Sequence, residues 1–143
     1  MIPEEPIKFK ELCEKVGLAL MMGQKVQFAL AHYYSVFHMV KSGWSKEKAK
    51  EKIILHLSKP MGVVVNSIEK DAPLDQGLFQ RIIEFKTQRN WLAHDFDEES
   101  TPFLSQNQKF DFYIKKMEQI AIQASNLMVD LNEIGDQLVP FGI

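Results

Sequence analysis

The chain has 143 residues, of which 45% are hydrophobic and 25% are charged, and its formal net charge at pH 7 is −2. These values are typical of one soluble globular domain whose core needs neither disulfides nor structural metal. The weak negative charge excludes a global positive field that would attract nucleic acid or an anionic membrane. No apolar run approaches the roughly 20 residues of a membrane-spanning helix, and the acidic, proline-containing start does not resemble a signal peptide. We therefore predict a single cytoplasmic domain spanning residues 1–143, in which Cys13, the only cysteine, is a small buried side chain.

The first predicted element is a long helix that begins just after Pro6 and ends at Ser42 and Gly43. Apolar residues recur along it in alternating steps of four and three, which is the spacing of one helix face. This seam consists of Leu12, Val16, Ala19, Gly23, Val26, Leu30, Tyr33, Phe37 and Val40. Because several large apolar residues lie off the seam, we expect the helix to be covered on more than one side.

Two short helices are predicted next. Ser45 is a suitable cap for a helix from Lys46 to Leu57, whose lysines and glutamates indicate a solvated face. Lys59 and Pro60 end that helix. Residues 61–69 contain a run of three valines that would also suit a strand, but no partner strand is present elsewhere, so we predict a short helix.

The second half of the chain contains two further helices. Asp75 is a plausible cap for a helix that runs to about His94, and residues 95–105 are predicted to form an acidic loop. The last helix, from about Asn107 to about Gln137, carries a second seam: Phe110, Tyr113, Met117, Ile120, Ala124, Leu127, Leu131, Ile134 and Leu138. We expect the two long helices to pack nearly antiparallel in an all-α, up-and-down bundle of four to five helices.

One residue violates the seam of the helix that ends near His94. That seam consists of Leu78, Ile82, Phe85, position 89 and Leu92, and position 89 is Arg89, one of only two arginines. An arginine on a core seam is costly unless its guanidinium is paired or the seam opens into a cleft. Such violations concentrate at functional sites.

The neighbours of Arg89 add two polar groups. At about 100° per residue, Asn90 lies about 100° and His94 about 140° round the helix from Arg89, and the small Ala93 lies between Arg89 and Asn90. A guanidinium matches the shape of a phosphate, and an imidazole exchanges protons near neutral pH. Since no serine or cysteine nucleophile accompanies them, the set favours phosphodiester chemistry over acyl transfer.

Structural interpretations of the same residues remain open. An arginine and a histidine at this spacing also occur by chance, His94 could simply complement a helix dipole, and Arg89 could pair with a buried carboxylate such as Glu84. Other familiar sites are excluded. There is no glycine-rich phosphate loop, and His38 and His56 lack the preceding glutamates of a carboxylate-bridged metal site, so we expect no cofactor and no metal.

The motif Arg89-Asn90-Trp91-Leu92-Ala93-His94, at the end of a helix in such a bundle, resembles the signature of the HEPN (higher eukaryote and prokaryote nucleotide-binding) family. The architectural likeness covers nearly the whole chain, while the diagnostic part is these six residues. The resemblance implies a metal-independent endoribonuclease, commonly a toxin or defence component, with a composite active site at the two-fold axis of a homodimer. It also implies that His94 acts as general base or acid, that Arg89 holds the scissile phosphate and that Asn90 orients the pair.

Two features depart from the family pattern. Many HEPN toxins carry a tyrosine two residues after the histidine, which a nucleotidyltransferase antitoxin adenylylates, whereas this chain has Phe96. The acidic residues that follow His94 repel RNA, so steering would fall to the lysines of residues 46–52 or of residues 109–116. The alternative prediction is therefore a non-catalytic HEPN-like module for dimerisation, nucleotide binding or regulation. A plain helical interaction bundle is a third prediction, which a buried ion pair of Arg89 would support.

Overall fold

The structure is a computed structural model that describes residues 4–138, with side chains from residue 7. The described residues form no strand, which agrees with the predicted all-α class. The helices are α1 (Glu4–Ser42), α2 (Lys46–Leu57), α3 (Met61–Asp71), α4 (Gln76–Asn90), α5 (Phe96–Leu104) and α6 (Phe110–Leu138), and a π-helical turn (Trp91–Asp95) joins α4 to α5. No described helix is long and apolar enough to cross a membrane.

Local signals set most of the helix ends. The Ser45 hydroxyl accepts a hydrogen bond from the Lys48 N–H at 3.1 Å, and the Asp75 carboxylate accepts one from the Leu78 N–H at 3.1 Å. Both predicted caps are therefore confirmed, because each satisfies an N–H that has no partner within its helix. Gly43 ends α1 in the left-handed conformation, with φ of 71°, which glycine adopts without steric cost.

The two long helices are parallel, so the antiparallel prediction is wrong. Lys8 of α1 pairs with Asp111 of α6 at 3.1 Å, and seven residues further along both helices Lys15 approaches Glu118 at 3.7 Å. The cause is the number of segments between them. The chain runs down α2, up α3 and down α4 and α5, and therefore enters α6 in the same direction as α1.

The seams of the two long helices face each other and build the core, as predicted. On α6, seven of the predicted seam residues are buried: Phe110, Tyr113, Met117, Ile120, Ala124, Leu127 and Leu131. On α1, the seam residues Val26, Leu30 and Tyr33 are almost completely buried, whereas Val40 at the end of the predicted seam is exposed.

The first half of α1 is covered on one face only. Cys13, Leu20 and Met21 are exposed there, Met21 by 61%. The 12 residues of α2 extend only about 18 Å at 1.5 Å per residue, so α2 ends opposite Gln27 and leaves the preceding turns of α1 open. The predictions that α1 is covered on several sides and that Cys13 is buried are therefore wrong for this half.

Residues 95–105 are mostly helical, which corrects the predicted acidic loop. Three carboxylates, Asp97, Glu98 and Glu99, lie in the first turn of α5, where negative charge is favourable next to the unpaired N–H groups of a helix. Ser100 is buried beneath them. The true turn follows α5, at Asn107 and Lys109, whose φ angles are 58° and 64°.

Candidate functional site

Arg89 lies in the last turn of α4 with its aliphatic stem packed on α1. Gly23 of α1 is buried at this point, and a Cβ built on it would lie 3.5 Å from both Cδ and Nε of Arg89. The stem of Arg89 therefore packs directly over Gly23, at a distance that leaves ordinary van der Waals contact even for a small side chain. The stem is in apolar surroundings, while the guanidinium reaches a groove between helices, as long cationic side chains commonly do.

The guanidinium of Arg89 has no carboxylate partner among the described residues. The other arginine, Arg81, donates to the Asp130 carboxylate at 2.7 Å, whereas no ion pair or hydrogen bond joins Arg89 to Glu84 or to any other described side chain. The ion-pair interpretation of Arg89 therefore lacks support. The cost of a cation on a core seam is met by the groove, since solvent reaches the guanidinium there.

The groove has a volume of about 560 Å³ and lies between α1 and the end of α2. Lys25, Lys59 and Arg89 line it together with Gln24 and Phe28, and no carboxylate does. Three positively charged side chains therefore line one groove of a protein whose net charge is −2. The predicted steering surfaces did not include Lys25 or Lys59. The only feature of the sequence that marks this part of α1 is Gly23, a glycine on the apolar seam. A glycine alone does not show which other helix packs against it.

The predicted site segment includes a π-helical turn immediately after Asn90. The N–H of Phe96 donates to the carbonyl of Trp91, five residues earlier, so the turn contains more residues than an α-helical turn and the angle per residue is smaller. His94 therefore projects in a direction closer to that of Asn90. The angle around the helix axis between Arg89 and His94 is thus smaller than the roughly 140° of an ideal α-helix. Single π turns of this kind are frequent at functional sites.

The three predicted site residues share one end of α4 without touching each other. Arg89 is half-buried and lines the groove, whereas Asn90 and His94 are exposed and do not line it. No hydrogen bond joins any two of the three among the contacts of the described residues. Within one chain the guanidinium of Arg89 therefore lies in the groove, whereas the imidazole of His94 lies on the surface outside it.

An aromatic cluster fixes the π turn to α6. The Glu99 carboxylate accepts hydrogen bonds from the Trp91 indole at 3.2 Å and from the Tyr113 hydroxyl at 3.1 Å. Burial, followed by the bond to Glu99, raises the pKa of Tyr113. Phe96 packs against both rings, each at a centroid distance of 5.4 Å. Phe96 therefore has a packing role, and Glu99 is occupied by these hydrogen bonds.

A second polar cluster joins the ends of α1 and α3. The Nε2 of His38 lies 3.2 Å from the Asp71 carboxylate and its Nδ1 lies 2.8 Å from the Ser42 hydroxyl. Because a carboxylate only accepts, Nε2 carries the proton in the neutral ring and Nδ1 accepts from Ser42. This connectivity is that of a hydrolytic triad, but Ser42 is the last residue of α1, where unpaired carbonyls replace the N–H donors that an oxyanion needs. We assign the cluster a structural role.

Aromatic rings and a buried histidine surround this second cluster. The hydroxyl of Tyr34 donates to Asp71 at 3.2 Å, and burial raises the pKa of Tyr34 to about 12. The His38 ring stacks on Trp44 at 4.6 Å. His56 is buried; burial, followed by the charge of Lys52, lowers its pKa, while a hydrogen bond with the Lys52 backbone opposes this change. No group of three or more potential metal ligands occurs within residues 7–138.

Comparisons with protein-family models, with curated proteins and with solved structures found no match to this chain.

Proposed function

We propose that the protein is a metal-independent endoribonuclease of HEPN type, a toxin or defence component, with a composite active site at the two-fold axis of a homodimer. The observation that carries the proposal is Arg89, a seam arginine without a carboxylate partner, whose guanidinium faces a groove in which every charged lining residue is a cation. Asn90 follows it directly, and His94 lies in the adjoining π turn. A free guanidinium and a solvent-accessible imidazole are the groups that metal-free cleavage of a phosphodiester needs.

In this mechanism the attacking group comes from the RNA itself. His94 takes the proton of a ribose 2′-hydroxyl, the 2′-oxygen bonds to the adjacent phosphorus, and the bond from phosphorus to the 5′-oxygen breaks. The leaving 5′-oxygen takes up a proton. The products are a 2′,3′-cyclic phosphate and a 5′-hydroxyl, so neither water nor a metal ion enters this step. Arg89 neutralises the charge that builds on the phosphate oxygens, and Asn90 orients the reacting groups.

A second copy of the chain would complete the site. One chain presents a single exposed imidazole, whereas two chains supply one imidazole to remove a proton and another to return one. The open face on the first half of α1, where Cys13, Leu20 and Met21 are exposed, is available for contact with a second copy.

The alternative function is a non-catalytic HEPN-like module that dimerises or binds nucleotides. The observation in its favour is that His94 and Asn90 lie outside the groove that Arg89 lines. In that case the groove holds a phosphate and no proton transfer follows. Under both proposals a nucleotidyltransferase-like antitoxin would have to act on some group other than Phe96, which has no hydroxyl.

RNA cleavage in the presence of a chelator separates the two functions. We expect the wild-type chain to produce fragments that end in 2′,3′-cyclic phosphate, and His94→Ala to reduce the rate by about 10²- to 10⁴-fold, the usual contribution of a general acid or base. Asn66→Ala is the control, since Asn66 is an exposed side chain of α3 that does not line the groove. Light scattering should give the mass of a dimer under the assay conditions.

Three results would contradict the nuclease proposal: cleavage that survives His94→Ala, cleavage that requires magnesium, or a monomer that is fully active. A chain that binds RNA through Arg89 without ever cleaving it would instead favour the non-catalytic module. Circular dichroism of each variant checks that the helices remain intact.

A further inference from the structure

The groove beside Arg89 offers more than one cation to a ligand. Lys25 comes from α1 and Lys59 from the turn after α2, and neither forms an ion pair with a described residue. Its volume of about 560 Å³ lies within the roughly 300–1,000 Å³ of small-ligand sites. The groove therefore has both the space and the uncompensated charge for an anionic ligand the size of a nucleotide.

Gln27 reduces the repulsion between an anion and the carbonyl groups at the C-terminal end of α2. The last carbonyls of a helix lack partners and carry partial negative charge, which repels phosphate. Here the amide of the buried Gln27 donates to the carbonyls of His56 at 3.1 Å and of Lys59 at 2.6 Å. These two acceptors are thus neutralised, and the ammonium group of Lys59 stands at the same helix end.

Phe28 provides a stacking surface at the edge of the groove. Its ring is 49% exposed and lies nearly parallel to the His32 ring, at 17° and a centroid distance of 6.2 Å. Phe28 and Lys25 also line a neighbouring cavity of about 280 Å³ on the α6 side, formed with Ala29, Met128 and Asn132. One aromatic ring and one cation therefore border two adjoining cavities, which is the combination that single-stranded nucleic acids bind.

We propose that this groove is a subsite for the RNA strand next to the cleaved bond, in which Lys25 and Lys59 hold a flanking phosphate and one unpaired base stacks on Phe28. This inference rests on the proposed function in one respect, which is that the RNA strand continues from the groove to the scissile phosphate at Arg89. A base in a duplex has both faces covered by its neighbours, so only single-stranded RNA reaches the Phe28 ring. The surface that attracts RNA is therefore formed by α1 and the end of α2. The lysines on the outer face of α2 are not part of it.

Fluorescence anisotropy with a short 2′-O-methyl RNA tests this subsite independently of cleavage, because that strand lacks the attacking hydroxyl. We expect Phe28→Ala to weaken binding by roughly tenfold, the loss of one stacked base, and Phe28→Tyr to restore it. Lys25→Ala and Lys59→Ala should each lower the slope of log affinity against log salt by about 0.7, the value for one phosphate contact on a single strand. Blunt duplex RNA of the same sequence should bind at least tenfold more weakly.

Two variants serve as matched controls outside the groove. Phe9→Ala removes an equally exposed phenylalanine of α1, and Lys50→Ala removes an exposed lysine of α2; both should bind like the wild type. The inference is overturned if the groove variants behave like these controls, or if duplex and single strand bind equally. If groove-dependent binding is found without any cleavage, the nuclease proposal fails and the subsite stands. If His94-dependent cleavage is found without groove-dependent binding, the subsite fails and the nuclease proposal stands.

Discussion

Two clusters of polar side chains in this bundle differ in how their groups are paired. At the junction of α1 and α3, His38 has a partner for each ring nitrogen and Asp71 accepts bonds from two side chains. Beside the end of α4, Arg89, Lys25 and Lys59 share a groove without a carboxylate. Paired polar groups stabilise a fold, whereas cations without a carboxylate partner are free to bind an anion. We therefore interpret the first cluster as one that stabilises the fold and propose the second as a binding site.

Substitutions in the two clusters should therefore lower the free energy of unfolding by different amounts. Asp71→Ala leaves the Tyr34 hydroxyl and the His38 ring without their acceptor, so we expect it to lower the free energy of unfolding by about 1–2 kcal/mol. Lys25→Ala removes a side chain without an ion pair and should change stability by less than about 0.5 kcal/mol. Urea denaturation measures both. Equal stability losses from the two substitutions would remove the distinction between the clusters.

A smaller effect concerns pH. Burial lowers the pKa of His56 from its usual value of 6.5, so the unfolded chain binds a proton more readily than the folded one. Stability is therefore fully present above about pH 6.5 and declines as the pH falls from there toward the folded-state pKa. Urea midpoints of wild type and His56→Gln between pH 7.5 and 5 measure the slope, which should be shallower in the variant.

His32 provides the control for that slope. Burial also lowers its pKa, but the charge of Asp136 opposes the effect, and its ring is less buried than that of His56. His32→Gln should therefore leave part of the acid-induced loss in place. A wild-type protein that becomes more stable as the pH falls from 7 to 5 would contradict the assignment.

Most of the secondary structure was predictable because its signals are local. Ser45 and Asp75 were recognised as caps from residue type and position, and the two seams followed from the spacing of apolar residues. The helix α5 was missed because Asp97, Glu98 and Glu99 look like a solvated loop, but α5 continues in the direction of α4 and adds no reversal. The antiparallel prediction was wrong because the three helices predicted between α1 and α6 alternate in direction, which makes the two long helices parallel.

The candidate site was predictable only in part. Arg89 was identifiable from the sequence because a charge on an apolar seam is visible in one helix. Lys25, Lys59 and Phe28 were not, since each looks like an ordinary surface residue in the sequence and they come together only where the end of α2 meets α1. The π turn was likewise unpredicted, because nothing in the sequence of residues 91–95 separates it from an α-helical turn.

The most direct test of the account compares the two arginines in one RNA-cleavage assay. Arg81 is paired with Asp130 and Arg89 faces the groove, so Arg89→Ala should reduce cleavage by roughly 10²- to 10³-fold, the loss of one preorganised group that stabilises the transition state. Arg81→Ala should leave the rate within about twofold of wild type while the fold tolerates a lost surface ion pair. Equal rates for the two variants, or a larger loss from Arg81→Ala, would contradict the assignment of Arg89 to the phosphate.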